Sequence, residues 1–149
     1  MLFVLFLTSA HADDDAVLKA LSVRDPEPNC AAVASLTPDP AASLERIAET
    51  VELPPWAPMR AARCLVAEHA EAGEAAFLRW VVDPERAGLG ELVLHRTRTL
   101  PEPVAAHVLE RALLGDLREP ALDAISADAR ATVRTLAPDP DPVPPPTTR

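Results

Sequence analysis

The chain has 149 residues, with 14 Lys+Arg against 23 Asp+Glu and a formal net charge of −9. The length fits one domain, and the acidic balance argues against a nucleic-acid binder, because nothing in bulk would neutralise phosphates. Twenty-eight alanines, 4 glycines and few β-branched residues do not read as a sandwich or barrel; they read as helix.

Residues 1–12, MLFVLFLTSAHA, read as a targeting signal. Residues 2–7 are uninterrupted apolar residues, and Ala10-His11-Ala12 has the small-x-small form of a signal-peptidase site, placing cleavage after Ala12. The apolar run is far shorter than the ~20 residues that span a bilayer, so no membrane span is expected in the mature chain. The signal lacks its usual basic start, which places the true start codon upstream of Met1. Export makes the compartment periplasmic or extracellular. There the only two cysteines, Cys30 and Cys64, are expected to form a disulfide. The alternative is two free, buried thiols acting as small hydrophobes. The absence of CxxC or paired His spacing makes a zinc site improbable.

The 17 prolines punctuate the rest of the chain. Proline is tolerated in the first helical turn and breaks interiors, so these positions mark helix starts. Residues 13–40 form an acidic segment with short helices, one carrying Val17, Leu18 and Leu21 and a second over 30–36. Asp39-Pro40 opens a helix carrying Leu44, Ile47, Ala48 and Val51. Pro58 opens another with Met59, Ala62, Leu65, Val66 and Ala70. Residues 74–82 bring Phe77, Leu78 and Val81 together, with Trp80 one step round. Asp83-Pro84 opens a helix with Leu89, Leu92, Val93 and Leu100. Residues 101–114 have the cleanest stripe, Val104, Ala105, Val108, Leu109, Ala112 and Leu113. One last helix is expected over 117–136, with Leu122, Ile125, Ala129 and Val133. Residues 138–149, PDPDPVPPPTTR, cannot form helix or sheet and are expected as a disordered, extended tail.

The helices recur at roughly 30 residues, two per unit, which suits stacked helical pairs that cannot bury their apolar faces alone. Residues 55–65 (PWAPMRAARCL), Asp83-Pro84-Glu85-Arg86 and residues 116–122 (DLREPAL) carry a resemblance to HEAT-like repeats, covering about residues 40–130. Each looks like an Asp-Pro turn, then an arginine, then small and aliphatic residues. The resemblance implies an all-α fold, a short α-solenoid of about three helical pairs over 41–137. It also implies protein binding through a concave face, with no catalytic residues. Gly88 and Gly90 stand where such a repeat has alanine and are expected to weaken that helix by roughly 1 kcal/mol each.

Candidate chemistry is thin. His69, His95 and His107 each fall singly beside an apolar stripe and read as boundary histidines. Ser22, Ser35, Ser43 and Ser126 lie in no GxSxG or SxxK motif. Lys19 is the only lysine, and no phosphate-binding glycine loop exists. The charge is more informative. Residues 13–55 carry net −6, residues 56–99 net 0 and residues 100–149 net −3. The centre holds Arg60, Arg63, Arg79, Arg86, Arg96 and Arg98. They read as interrepeat ion pairs, or as a face that grips an acidic partner or peptide carboxylate, with Arg60, Arg63, Arg86, Arg96, Arg98 and Trp56 the candidate contacts. Both tryptophans read more simply as core or packed corners.

The sequence reading is therefore an exported bacterial, non-enzymatic scaffold or protein-interaction module, without cofactor or metal and with an unidentified protein partner. The alternatives are an enzyme subunit, since some HEAT-like proteins resemble phycobilin lyase subunits, or a structural envelope protein.

Overall fold

Side-chain caps and prolines set the helix starts. The computed structural model describes residues 9–137, and among them the chain is all-α, with nine α-helices, two 3-10 turns and no strand. Helix α1 spans Ser9–Ser22 and α2 spans Cys30–Ala34. Asn29 Oδ1 caps α2, accepting from the backbone N–H groups of Ala31 and Ala32 at 2.9 and 3.3 Å. Helix α3 (Pro40–Thr50) begins on Asp39, which accepts from the Ala42 N–H at 3.2 Å, with proline in the first turn. Pro58 does the same for α4 (Ala57–Glu68). Helix α5 (Ala70–Trp80) follows after a break at His69, whose φ of −136° leaves the helical region. A 3-10 turn, Pro84–Arg86, is capped by Asp83 and leads into α6 (Ala87–His95). A second turn, Thr97–Thr99, precedes α7 (Glu102–Ala112), and α8 (Arg118–Ala127) and α9 (Ala131–Arg134) end the described chain.

The helices pack in two alternating rows. Successive odd-numbered helices, α1, α3, α5, α7 and α9, touch one another, and so do α2, α4, α6 and α8. Each row covers the other, most extensively where α3 lies on α4. One apolar core runs between them, from Val17, Leu21 and Val33 through Leu44, Leu65, Phe77 and Val93 to Leu109, Ile125 and Val133. Trp80 and Phe77 are wholly buried, with ring centroids 5.7 Å apart and planes tilted by 56°. Cys30 and Cys64 form the expected disulfide, tying α2 to α4.

Several expectations are corrected. Asp14 of the acidic start sits in α1 and holds Arg46 of α3 through two hydrogen bonds of 2.8 Å, so this stretch serves the fold as well as the surface charge. Trp56 is 37% exposed rather than core, its indole N–H reaching the Ser22 carbonyl at 3.3 Å. Met59 leaves its stripe for the surface. The helix expected from Asp83 through Leu100 is divided into a 3-10 turn, α6 and a second 3-10 turn. The helix expected over 117–136 breaks at Asp128, so that Ala129 is exposed while Val133 stays buried. Gly90 is not a defect: a Cβ there would lie 2.7 Å from the Trp80 carbonyl oxygen and 2.6 Å from Leu117 Cδ1, so glycine is what lets α6 approach the end of α5. Residues 1–8 of the expected signal and the whole proline-rich tail lie outside the described residues.

Candidate interaction face

The central arginines divide between two kinds of work. In the odd-numbered row, neighbouring helices are linked by ion pairs, Asp14 to Arg46 between α1 and α3 and Glu45 and Glu49 to Arg79 between α3 and α5, and by a hydrogen-bonded contact of Glu74 with His107 between α5 and α7. Glu49 is the most elaborated of these groups. It accepts from the Trp80 indole N–H at 2.8 Å and from Arg79 at 3.0 Å, with Arg86 3.6 Å away. Burial pushes its carboxyl up, but the hydrogen bonds from Trp80 and Arg79 and the charges of Arg79 and Arg86 outweigh that and hold it below the ordinary range. Arg86 also bonds Asp83 at 3.1 Å, so it serves this knot and lines none of the clefts described below.

The even-numbered row is built differently. Arg60 points from α4 to the end of α1, where its guanidinium donates to the carbonyls of Leu21 at 3.0 Å, Val23, and Arg24 at 2.9 Å. It closes the C-terminal end of that helix, whose last carbonyls have no helical partner. Arg63, one turn further along, pairs with Glu27. Together they hold the loop after α1 over the disulfide. Beside them lies Arg96, exposed at the end of α6. Its side chain has no ion-pair or hydrogen-bond partner among the described residues; Arg98 makes no hydrogen bond either, but its charge acts on the Asp128 carboxyl.

These residues line three adjoining clefts. Arg60, Arg63 and Arg96 frame the first, about 260 Å³, with Glu27 and the disulfide. Arg63 and Arg96 also line the second, about 270 Å³, with Met59, Glu91, Leu92 and His95. Glu91 and His95 pass on into the third, about 520 Å³ between α6 and α8, where Arg98, Leu94, Asp123 and Ala124 stand. The three share walls, Arg63 and Arg96 between the first two and Glu91 and His95 between the second and third, and together they form the trough referred to below, along α4, α6 and α8. Four of the five expected arginines therefore gather along it, Arg60, Arg63, Arg96 and Arg98. Trp56 lines none of the three clefts.

The three histidines do not come together. His95 stands in the trough, His107 pairs with Glu74 in the other row at 2.6 Å, and His69 lines a separate cleft beside Thr99 and Pro101. Among the described residues no three His, Cys, Asp or Glu side chains are grouped to hold a metal, and no helix is long and apolar enough to cross a membrane.

One pair escaped sequence reasoning. Asp128 is only 4% exposed and is gripped by Arg130, whose Nη2 donates at 2.6 Å and whose backbone N–H donates at 2.9 Å. The side-chain hydrogen bonds from Arg130 hold the Asp128 carboxyl at about 2 against the cost of burying it. Arg130 also donates to the carbonyls of Thr97 at 2.8 Å and Leu100 at 2.9 Å, closing the turn before α7 much as Arg60 closes α1. The available signal was an aspartate falling inside an apolar helical stripe two residues before an arginine, which is Asx-turn chemistry. Comparison with protein-family models, with curated proteins and with solved structures finds no match for this chain.

Proposed function

We propose that the chain is an exported, non-enzymatic protein-interaction module, built as a short HEAT-like solenoid of about three stacked helical pairs. The alternating packing of the rows and the recurrence of helical pairs at roughly 30 residues support the stacked reading. The Cys30–Cys64 disulfide and the apolar start ending in Ala10-His11-Ala12 support export to an oxidising compartment. The observation that carries the interaction reading is the trough: it presents Arg96, without a hydrogen-bond or ion-pair partner among the described residues, together with Arg98, beside apolar side chains of α6 and α8. Exposed guanidiniums set beside apolar side chains on one face are what a binding surface offers.

Photocrosslinking tests this directly. A benzoylphenylalanine at Asp123, in the trough, and another at Glu110, in the other row, are compared in cells producing the full chain. A discrete protein adduct from position 123 in the envelope fraction, without one from position 110, is expected. No adduct from position 123, or the same adducts from both, removes the reading.

A further inference from the structure

We infer that the cleft around the Cys30–Cys64 disulfide is a thiol–disulfide exchange site, selective for thiols that carry negative charge; this stands apart from the interaction reading. Both cysteines line that cleft of about 260 Å³, whose other walls are one face of α4, the segment before α2 and the end of α6. Cys64 is 2% exposed, whereas Cys30, at the start of α2, is only half-buried. A thiolate entering the cleft therefore meets the Cys30 sulphur, and Cys64 is the leaving group.

The charge of the cleft favours that course. Arg60, Arg63 and Arg96 line it against a single carboxylate, Glu27, which is already paired with Arg63. Arg60 stands four residues before Cys64 on the α4 face that lines the cleft, and residues four apart on a helix are neighbours. Arg60 donates to carbonyls, which leave its charge uncancelled. In a chain of net −9, this corner is positive. Guanidiniums beside a cysteine favour its thiolate, so Cys64 departs more readily, and the same field draws an anionic attacker in. The incoming thiolate attacks Cys30 Sγ, the S–S bond breaks, and its electron pair leaves on Cys64 Sγ. A second thiolate attacks the mixed disulfide and releases the Cys30 thiolate together with a small disulfide. The two cysteines gain two electrons, and the two thiols are oxidised. Exchange leaves the loop after α1 and the short helix α2 to the Arg60 and Arg63 contacts and to buried Val33.

The probes are three small thiols of similar size: anionic 2-mercaptoethanesulfonate, neutral 2-mercaptoethanol and cationic cysteamine. They are compared at equal thiolate concentration on the native oxidised chain, without denaturant. Acid quenching, alkylation and mass spectrometry follow the loss of the bridge. The sulfonate should react fastest and cysteamine slowest, with the differences shrinking as salt rises. R96E reverses the charge at one wall. It should slow the neutral thiol about fivefold, through the leaving group, and lower the sulfonate-to-cysteamine rate ratio about fivefold or more, through the approach. R111E, the same charge change on exposed α7, should alter neither quantity. Circular dichroism checks that both variants fold. The trapped mixed disulfide should sit on Cys30, with Cys64 free to be alkylated. Equal rates for the three thiols, an unchanged ratio in R96E, an equal change in R111E, an adduct on Cys64, or reduction only in urea overturns the inference.

Discussion

Replacing the two glycines of α6 by alanine, one at a time, separates helix propensity from packing. Each replacement removes the same backbone freedom, so each gains about 1 kcal/mol from propensity. At Gly88 nothing lies within 4 Å of the added Cβ, and the gain is kept. At Gly90 the Cβ would sit 2.6 Å from Leu117 Cδ1, 2.7 Å from the Trp80 carbonyl oxygen and 3.2 Å from its carbonyl carbon. Leu117 can turn aside, but the Trp80 carbonyl is backbone at the end of α5, so α5 and α6 must part. Overpacking of this kind costs about 1–3 kcal/mol. G88A should therefore raise stability by about 1 kcal/mol, and G90A should lower it by up to about 2 kcal/mol. For a chain of this size that is a rise of about 3–5 °C against a comparable or larger fall. Thermal unfolding followed by circular dichroism at 222 nm, on the oxidised protein, measures both. Equal rises in the two variants would refute the close approach of α6 to α5, and a fall in G88A would refute the open surface there.

Acid should act on the Asp128–Arg130 pair. Its carboxyl is lowered from 3.8 to about 2, so the stability it contributes is full above the unfolded value and is lost as pH falls through the folded one. That is on the order of 2 kcal/mol; urea unfolding of D128N should be weaker than native at pH 7 and converge with it near pH 2, and parallel curves at all pH values would contradict this. Removing the disulfide as C30S/C64S should lower stability by roughly 3 to 4 kcal/mol in the chain-entropy account, since the bridge closes a separation of 34 residues; a loss under ~1 kcal/mol would mean the unfolded chain is already constrained there. Arg60→Ala should cost about 1–3 kcal/mol because it strips donors from three carbonyls at the end of α1, whereas Arg96→Ala should stay within about 0.5 kcal/mol. Equal losses in the two variants would show that Arg96 is also structural.

Proline chemistry made the starts of α3, α4 and α7 legible. Asp39-Pro40 and Pro58 open α3 and α4 where the local rules put them, because capping and a fixed φ act on the nearest few bonds. The stripe of α7 was equally readable, Val104, Ala105, Val108, Leu109 and Ala112 all being buried. What failed depends on distant partners. The break at Asp128 is stabilised by Arg130 reaching the carbonyls of Thr97 and Leu100, about 30 residues away in sequence, and no local pattern contains that. The meaning of Gly90 depends on Trp80 and Leu117 arriving from either side. Trp56 was misread because aromatic content says how much area is available to bury, not which face receives it. For the candidate site, the arginine cluster was visible, but its partition was not. Arg86 and Arg79 turn to Glu49, and Arg96 and Arg98 do not, and only the alternating rows separate them.

That partition bears on why the trough arginines are there. Exposed ion pairs of the kind that link the odd-numbered helices are worth about 0–1 kcal/mol each, so the rows are held chiefly by the apolar core between them, by the disulfide and by closed backbone ends. Arg60 and Arg130 are accounted for by those ends, since leaving several carbonyls unmet would cost more than any surface pair returns. Neither Arg96 nor Arg98 makes a hydrogen bond or close ion pair among the described residues, although Glu91 and Asp123 line the same trough, but the charge of Arg98 acts on the Asp128 carboxylate. A guanidinium in water needs no protein partner, so exposure alone would be unremarkable. Arg98 does have a part in folding, since its charge favours the ionised form of the buried Asp128 carboxyl, so of the two it is Arg96 that folding leaves to the interaction proposed for this face.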